Sequence, residues 1–174
     1  MRFYEALDLV PRLALDLDDV KRRFYERSRQ WHPDRFSQAG KEAQETALEM
    51  SAVLNDAFRT LRDPVARAEY FLEENGIAAS KTPPPELLEE VFELNMALEE
   101  LRDGDDSARP RLMDAQTRFI QMRNEIDTGL EELFRAYDES GNQPILGEIR
   151  RALDRRRYVS NLVSEVQKEL TRRN

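Results

Sequence analysis

The chain has 174 residues, of which 36% are charged and 40% hydrophobic, and its formal net charge is −8. The absence of cysteine excludes disulfides, thiolate metal sites and cysteine nucleophiles, and the single histidine excludes a multi-histidine metal site. The negative charge disfavours nucleic acid and membrane surfaces as partners, and no apolar run approaches the ~20 residues that span a membrane.

The first part of the chain is predicted to be helical. Residues 1–5 resemble neither a secretion signal nor an arginine-rich transit peptide, which predicts a cytoplasmic bacterial protein, with a mature organellar chain as the alternative. A short element is predicted at Tyr4–Leu9, before Pro11 interrupts the pattern. Asp18 is the predicted N-cap of a helix that runs to about Trp31.

A helical hairpin is predicted around the next loop. The inward row of the first helix has Val20, Phe24 and Trp31, with Arg27 among them. The stem of this arginine is expected to lie along the core while its head reaches water. Pro33 ends the helix, and a second helix is predicted over Lys41–Arg62. Its seam, at alternating steps of four and three, is Ala47, Ser51, Leu54, Phe58 and Leu61.

The hairpin is followed by a short helix and a linker. Asp63-Pro64 predicts an N-cap with proline in the first helical position, and Gly76 follows the predicted helix end. Consecutive prolines in Lys81–Pro85 stiffen the chain and prevent a helix there. We therefore predict an N-terminal domain at 1–76, a proline-rich linker at 77–85 and a second domain at 86–174.

The second domain is predicted to be a bundle of three antiparallel helices, which makes the whole chain all-α. The first helix is expected from Glu86 to Arg102. The second is expected from about Pro110 to the residues before Ser140-Gly141-Asn142, and the third from about Pro144 almost to the C-terminus.

His32-Pro33-Asp34 lies in the predicted hairpin loop. The helix before it is basic, with Lys21, Arg22, Arg23, Arg27 and Arg29, and the helix after it has Glu42, Glu45, Glu49 and Asp56. A cationic helix in an anionic chain favours docking of an acidic partner. On spacing alone, a loop hydrogen bond of His32 and a merely solvated charged face stay open as alternatives. No catalytic residue is predicted, because neither a nucleophile arrangement nor a phosphate loop accompanies the tripeptide.

The segment from Tyr4 to Tyr70 resembles a J-domain, an antiparallel helical hairpin with short flanking helices. The matching pieces are Tyr4-Glu5-Ala6-Leu7, residues 31–36 (Trp-His-Pro-Asp-Arg-Phe), Asn55-Asp56-Ala57-Phe58 and residues 61–70. The resemblance implies docking on a DnaK-type ATPase chaperone and stimulation of its ATP hydrolysis. The residues implied to bind the chaperone are Lys21, Arg22, Arg29, His32, Pro33, Asp34 and Arg35. Tyr25 and Glu26 stand where many J-domains place basic residues.

The first helix of the predicted bundle has two apolar rows. Leu87, Val91, Leu94, Leu98 and Leu101 form a complete four-three seam, which suffices to face the other two helices. Leu88, Phe92 and Met96 form a second row beside Glu89 and Glu93. The pattern leaves two interpretations open for this row, an exposed patch that binds a partner or part of a wider buried stripe.

The plan of the whole chain resembles the HscB family, the J-domain co-chaperones of iron–sulfur cluster assembly. A proline linker and a helical bundle follow the J-domain, and the patches 92–95 and 157–162 also match. The resemblance implies that an iron–sulfur cluster scaffold protein binds Leu88, Phe92, Glu93, Met96 and, from the last helix, Tyr158. Glu89 replaces an apolar residue that some members have. No cofactor or metal is predicted on the chain itself, because it lacks thiolates.

Arginines crowd the last predicted helix, at Arg150, Arg151, Arg155, Arg156 and Arg157. Glu148 and Asp154 interrupt them, which favours pairing within the chain or a solvated face over nucleic-acid binding. The sequence thus predicts an adaptor between a chaperone and its client. The alternatives are a J-domain protein with a different client and a structural helical protein without chaperone coupling.

Overall fold

A computed structural model describes residues 1–172, and within them the protein consists of helices without strands. The α-helices are α1 (Arg2–Ala6), α2 (Leu17–Gln30), α3 (Lys41–Arg62), α4 (Pro64–Glu74), α5 (Leu88–Arg102), α6 (Ala108–Ser140) and α7 (Gln143–Thr171). Short 3-10 turns occupy Pro33–Phe36 and Pro85–Leu87. The predicted all-α class is confirmed. No helix in the described part is long and apolar enough to cross a membrane.

The chain divides into two compact units. The first comprises Met1–Ile77 and Phe134–Leu146, and the second comprises Ala78–Leu133 and the residues from Gly147 onward. The domain limits 1–76, 77–85 and 86–174 stay predictions. The units add a feature that no sequence pattern indicated, because the end of α6 and the start of α7 belong with the N-terminal helices.

Two predicted helix starts are wrong in the N-terminal region. Asp16, not Asp18, is the N-cap of α2, and its carboxylate accepts a hydrogen bond of 2.9 Å from the backbone N–H of Asp18. Asp18 lies in the first turn, where a negative charge also interacts favourably with the helix dipole. The opening helix is Arg2–Ala6 rather than Tyr4–Leu9, and Asp8 follows it with a positive φ of 55°.

The other helix limits agree with the predictions to within two residues. The bounds of α3 match, and Asp63 caps α4 by accepting a 2.7 Å hydrogen bond from the N–H of Ala66. Gly76 has a φ of 74°, which glycine adopts without strain, and the N–H of Ile77 bonds back to the carbonyl of Leu72. Helix α5 begins at Leu88 because the 3-10 turn precedes it.

The core of the first unit forms around α3, which packs against α1, α2 and α4. Leu54 and Leu61 are buried, and Phe24 stacks on Phe58 with ring centroids 4.3 Å apart. Arg27 is partly exposed, so its head reaches the surface as expected. Its guanidinium donates to the carbonyl of Ala6 at 3.1 Å, so it joins α2 to α1.

Arg67 is a buried charge within this first core. Its guanidinium donates to the carbonyl of Leu13 at 2.7 Å and to that of Leu61 at 2.6 Å. Burial lowers the pKa of this arginine because desolvation disfavours the charged form. The two backbone acceptors compensate for part of the cost of burying the charge.

The helix ends at 134–146 contact the segment that joins α1 to α2. The carboxylate of Asp138 accepts hydrogen bonds from the backbone N–H groups of Leu13, at 2.9 Å, and Ala14, at 2.7 Å. Tyr137 meets Phe71 edge to face, with centroids 5.6 Å apart. These contacts explain why the tip of the α6–α7 hairpin groups with the first unit.

The second unit has one apolar core shared by α5, α6 and α7. It includes Leu94, Leu98 and Leu101 from α5, Leu112 and Phe119 from α6, and Val159, Leu162 and Val166 from α7. The predicted seam of α5 is confirmed, since Leu87, Leu94, Leu98 and Leu101 are buried and Val91 packs against them. Ion pairs lie at the margins of this core, such as Arg102 with Glu169 at 3.2 Å.

Candidate functional site

His32 is the N-cap of the 3-10 turn Pro33–Phe36. Its Nδ1 accepts a hydrogen bond of 3.3 Å from the backbone N–H of Asp34. Nδ1 also lies 3.5 Å from the Asp34 carboxylate, which makes an ion pair only when the imidazole is protonated. The loop hydrogen bond considered from the sequence is therefore present. Nevertheless, 59% of the His32 side chain and 89% of the Asp34 side chain are exposed and accessible to a partner.

The loop is held against the end of α2 by two contacts. The rings of Trp31 and Phe36 stack with centroids 5.9 Å apart and planes 10° apart. The guanidinium of Arg35 donates to the carbonyl of Arg29 at 3.3 Å. Proline also restricts the loop, so the tripeptide is presented on a supported backbone with little conformational freedom.

Three arginines of α2 are engaged within the fold. Arg23 pairs with the carboxylates of Asp19, at 2.9 Å, and Asp8, at 3.0 Å. Arg22 pairs with Glu26 at 3.0 Å and also with Asp19. The hydrogen bonds from Arg23 and Arg22 lower the pKa of the Asp19 carboxyl, because they stabilise its ionised form. Arg27, bound to Ala6, completes this group.

Lys21 and Arg29 form a second group on α2, because both are exposed and neither has a carboxylate partner within residues 1–172. Arg35 donates only to a backbone carbonyl in this part of the chain. We call Lys21, Arg29 and Arg35 the unpaired cations. The structure joins Arg29 and Arg35 to the tripeptide loop, whereas Lys21 lies two turns earlier on α2. The chaperone-binding role of these residues, and of Arg22, stays a prediction.

The second apolar row of α5 is exposed. The exposed fractions are 57% for Leu88, 67% for Phe92 and 48% for Met96. The interpretation of this row as part of a wider buried stripe is therefore wrong. Exposed large apolar side chains in one row are typical of a surface that binds a partner.

Two of the predicted client-binding residues line a groove between α5 and α6. Glu93 and Met96 lie on its α5 side, and the groove has a volume of about 630 Å³. Its α6 side consists of Arg111, Asp114, Ala115 and Arg118. We call this feature the α5–α6 groove.

Tyr158 lies apart from that groove. It is partly buried against the bundle core and lines a separate hollow of about 460 Å³ with Pro83, Pro84 and Asn161. The structure thus groups Glu93 with Met96, and Tyr158 with the linker. The scaffold-binding roles of all these residues stay predictions.

The linker is bound to α7 by side chains that the sequence did not single out for this purpose. The backbone N–H of Ser80 donates to Asp154 at 3.2 Å, and Arg157 donates to the carbonyl of Ser80 at 2.6 Å. Asp154 also pairs with Arg150 at 2.9 Å. Pairing within the chain, which the sequence favoured for this arginine cluster, is confirmed at these positions. Spacing gave no signal for the partner Ser80, which is distant in sequence.

The described residues contain no group of His, Asp or Glu side chains arranged to hold a metal ion. The two surfaces with exposed, chemically distinctive side chains are therefore the supported loop beside α2 and the apolar row on α5. Both are suited to binding another macromolecule, since neither encloses a cavity for a small ligand.

Comparison with known proteins finds a matching family for each of the two parts of the chain. Residues 2–70 match the DnaJ domain, and residues 83–167 match the HSCB C-terminal oligomerisation domain. A co-chaperone protein HscB homolog from Neisseria meningitidis serogroup C is 30% identical over 148 residues, which cover 82% of this chain and 88% of the relative. The chain belongs to the HscB family of J-domain co-chaperones. The residues that carried the J-domain resemblance, from Tyr4 to Tyr70, coincide with the first match.

Other members of the HscB family are also similar to this chain in sequence or in fold. The co-chaperone protein HscB homolog of Vibrio vulnificus is 33% identical over 111 residues, which cover 62% of this chain and 65% of the relative. Chaperone HscB from Vibrio cholerae superposes with a TM-score of 0.68 at 25% identity. The match covers 97% of this chain and 96% of the Vibrio cholerae chain. Human co-chaperone protein HscB shares the fold, with a TM-score of 0.71 at 22% identity. The match covers 98% of this chain and 82% of the human chain.

Proposed function

We propose that this chain is a co-chaperone of iron–sulfur cluster assembly that acts in the cytoplasm. Its J-domain stimulates ATP hydrolysis by a DnaK-type chaperone, and its bundle delivers the iron–sulfur cluster scaffold protein to that chaperone. The supporting observation is that this member of the family has both an exposed His32-Pro33-Asp34 loop and an exposed apolar row on α5. The chain performs no catalysis of its own in this proposal and holds no cluster.

The charges beside the loop support the chaperone half of the proposal. The unpaired cations Lys21, Arg29 and Arg35 attract an acidic surface over distances of about a Debye length, ~8 Å at physiological salt. Such steering raises association rates more than it raises affinity. His32 and Asp34 then contribute short-range contacts from a backbone that is already fixed, so that little conformational entropy is lost on docking.

The apolar row supports the client half. Phe92 is the most exposed large side chain of the row, and burying an aromatic ring of this kind is a common source of binding energy at interfaces. Glu93 lies beside it and adds a charge that selects the partner. Because both surfaces belong to one chain, a bound client is held at a high effective concentration near the chaperone.

A single-turnover assay of ATP hydrolysis by the DnaK-type chaperone tests the whole proposal. The parent protein is expected to raise the rate, and addition of the scaffold protein is expected to raise it further. His32→Gln is expected to abolish the stimulation while leaving the fold unchanged, because the imidazole is exposed. Gln38→Ala, at another exposed position nearby, serves as the matched control.

The possible outcomes separate the alternatives. A parent protein that gives no stimulation, or a His32→Gln variant that stimulates as well as the parent, contradicts the chaperone half and leaves a structural helical protein. Stimulation without binding of the scaffold protein at micromolar concentration contradicts only the client and leaves a J-domain protein with a different client.

A further inference from the structure

The α5–α6 groove has a mixed chemical lining. Met96 and Ala97 on α5 and Ala115 on α6 provide an apolar surface, and Met96 is exposed by about half. The groove is continuous with the apolar row, because Met96 belongs to both. A client that covers Phe92 and Met96 therefore also meets residues of α6.

The charges in this groove are unevenly balanced. Arg111 forms an ion pair with Glu100, so that this arginine is neutralised. The three carboxylates that line the groove, those of Glu90, Glu93 and Asp114, have no ion-pair partner among residues 1–172. The only opposing lining cation without such a partner in the same part of the chain is Arg118. The groove thus has a net negative charge that the protein itself does not compensate.

We propose that the α5–α6 groove binds a basic amphipathic segment of the client, and that Asp114 and Arg118 of α6 determine which segment is accepted. An apolar side chain of this segment packs on Met96, Ala97 and Ala115. Its lysine or arginine side chains face the carboxylates of Glu93 and Asp114. This inference rests on the proposed function, since it extends the client surface from α5 to α6.

The two α6 residues have opposite roles in this proposal. Asp114 attracts the basic segment, whereas Arg118, one helical turn further along the same face, repels it. Arg118 therefore lowers the affinity of the groove for strongly basic sequences. Repulsion of the wrong partner is a common device for obtaining specificity.

Titration calorimetry of the full chain with the scaffold protein tests the sign of each effect. Exposed charge pairs contribute modestly, so Asp114→Asn is expected to weaken binding about twofold and Asp114→Arg about fivefold. Arg118→Gln is expected to tighten binding about twofold. Raising the salt concentration is expected to reduce all of these differences, because the charges are exposed.

Glu148→Arg is the control for the change of formal charge, because Glu148 is exposed on α7 and does not line the groove. It is expected to leave the dissociation constant within about twofold of the parent value, as expected for a screened charge outside the interface. If Asp114→Arg changes binding no more than Glu148→Arg does, α6 is not part of the client surface. If Asp114→Arg tightens binding and Arg118→Gln weakens it, the bound segment is acidic and the proposal is overturned.

Phe92→Ala separates this inference from the proposed function. Loss of binding in Phe92→Ala with no effect of the α6 variants contradicts the groove and leaves the client surface on α5. A parent protein that does not bind the scaffold protein at micromolar concentration overturns the client assignment and the groove together.

Discussion

The J-domain hairpin divides its cations, and the bundle its apolar residues, between side chains engaged in the fold and side chains left exposed. In the first unit, Arg27 and Arg67 donate to backbone carbonyls and hold segments of the fold together, while other cations remain exposed. In the second unit, the leucines of α5 form the core, while Leu88 and Phe92 remain exposed. The type of a residue therefore does not show, in either region, whether it supports the fold or is left exposed for a partner. The role depends on whether the side chain is already engaged within the fold.

The largest expected effect contrasts two apolar residues of α5. Leu98→Ala removes a buried side chain and leaves a cavity, so it is expected to lower the free energy of unfolding by about 3 kcal/mol. Phe92→Ala changes an exposed side chain and is expected to cost less than about 0.5 kcal/mol. Urea unfolding followed by circular dichroism measures both. Equal losses in the two variants would show that the exposed row supports the fold.

A second contrast concerns two arginines of the J-domain. Arg67→Met leaves the carbonyls of Leu13 and Leu61 without their donor and is expected to lower the free energy of unfolding by about 2 kcal/mol. Arg29→Met, at an exposed position without a carboxylate partner in residues 1–172, is expected to leave the unfolding midpoint unchanged. Urea titration of both variants measures the difference. An Arg67→Met variant as stable as the parent would show that apolar packing replaces these hydrogen bonds.

Sequence reasoning predicted the parts of the fold that depend on local signals. Helix α3, the cap at Asp63 and the seam of α5 follow from periodicity and turn residues within a few positions of one another. The role of Asp138 was not predictable in this way, because the N–H groups that donate to its carboxylate, those of Leu13 and Ala14, are more than a hundred residues distant. The same limitation applies to Ser80 and Arg157, which spacing alone does not connect.

The candidate site was predictable in its location but not in its composition. The tripeptide and the apolar row are visible in the sequence, and the row is exposed as one interpretation required. Periodicity shows the basic character of α2 but does not reveal that Arg22 and Arg23 both pair with Asp19. Likewise, the α6 side of the groove could not be predicted, because its register against α5 depends on packing across the bundle core.

An effect of intermediate size is expected when the cations of α2 are removed. Arg29→Ala is expected to raise the concentration needed for half-maximal stimulation of the chaperone about fivefold, because this cation is not compensated within residues 1–172. Arg22→Ala is expected to raise it less than twofold, because Asp19 and Glu26 already neutralise the guanidinium. Single-turnover ATP hydrolysis at several concentrations of the co-chaperone measures both. A larger effect of Arg22→Ala would mean that this arginine exchanges its partners on docking.

The smallest expected effect is a pH dependence of stability that arises from one ion pair in each unit. Hydrogen bonds from Arg23 and Arg22 lower the pKa of Asp19, and a hydrogen bond from Arg102 lowers the pKa of Glu169. A carboxyl whose pKa is lower in the folded state stabilises the fold above its unfolded pKa, ~4, and this stabilisation is lost as the pH falls through the folded value. Asp19→Asn and Glu169→Gln are therefore each expected to reduce the fall in melting temperature between about pH 5 and pH 3. If both variants lose as much melting temperature as the parent over this range, these ion pairs do not stabilise either unit.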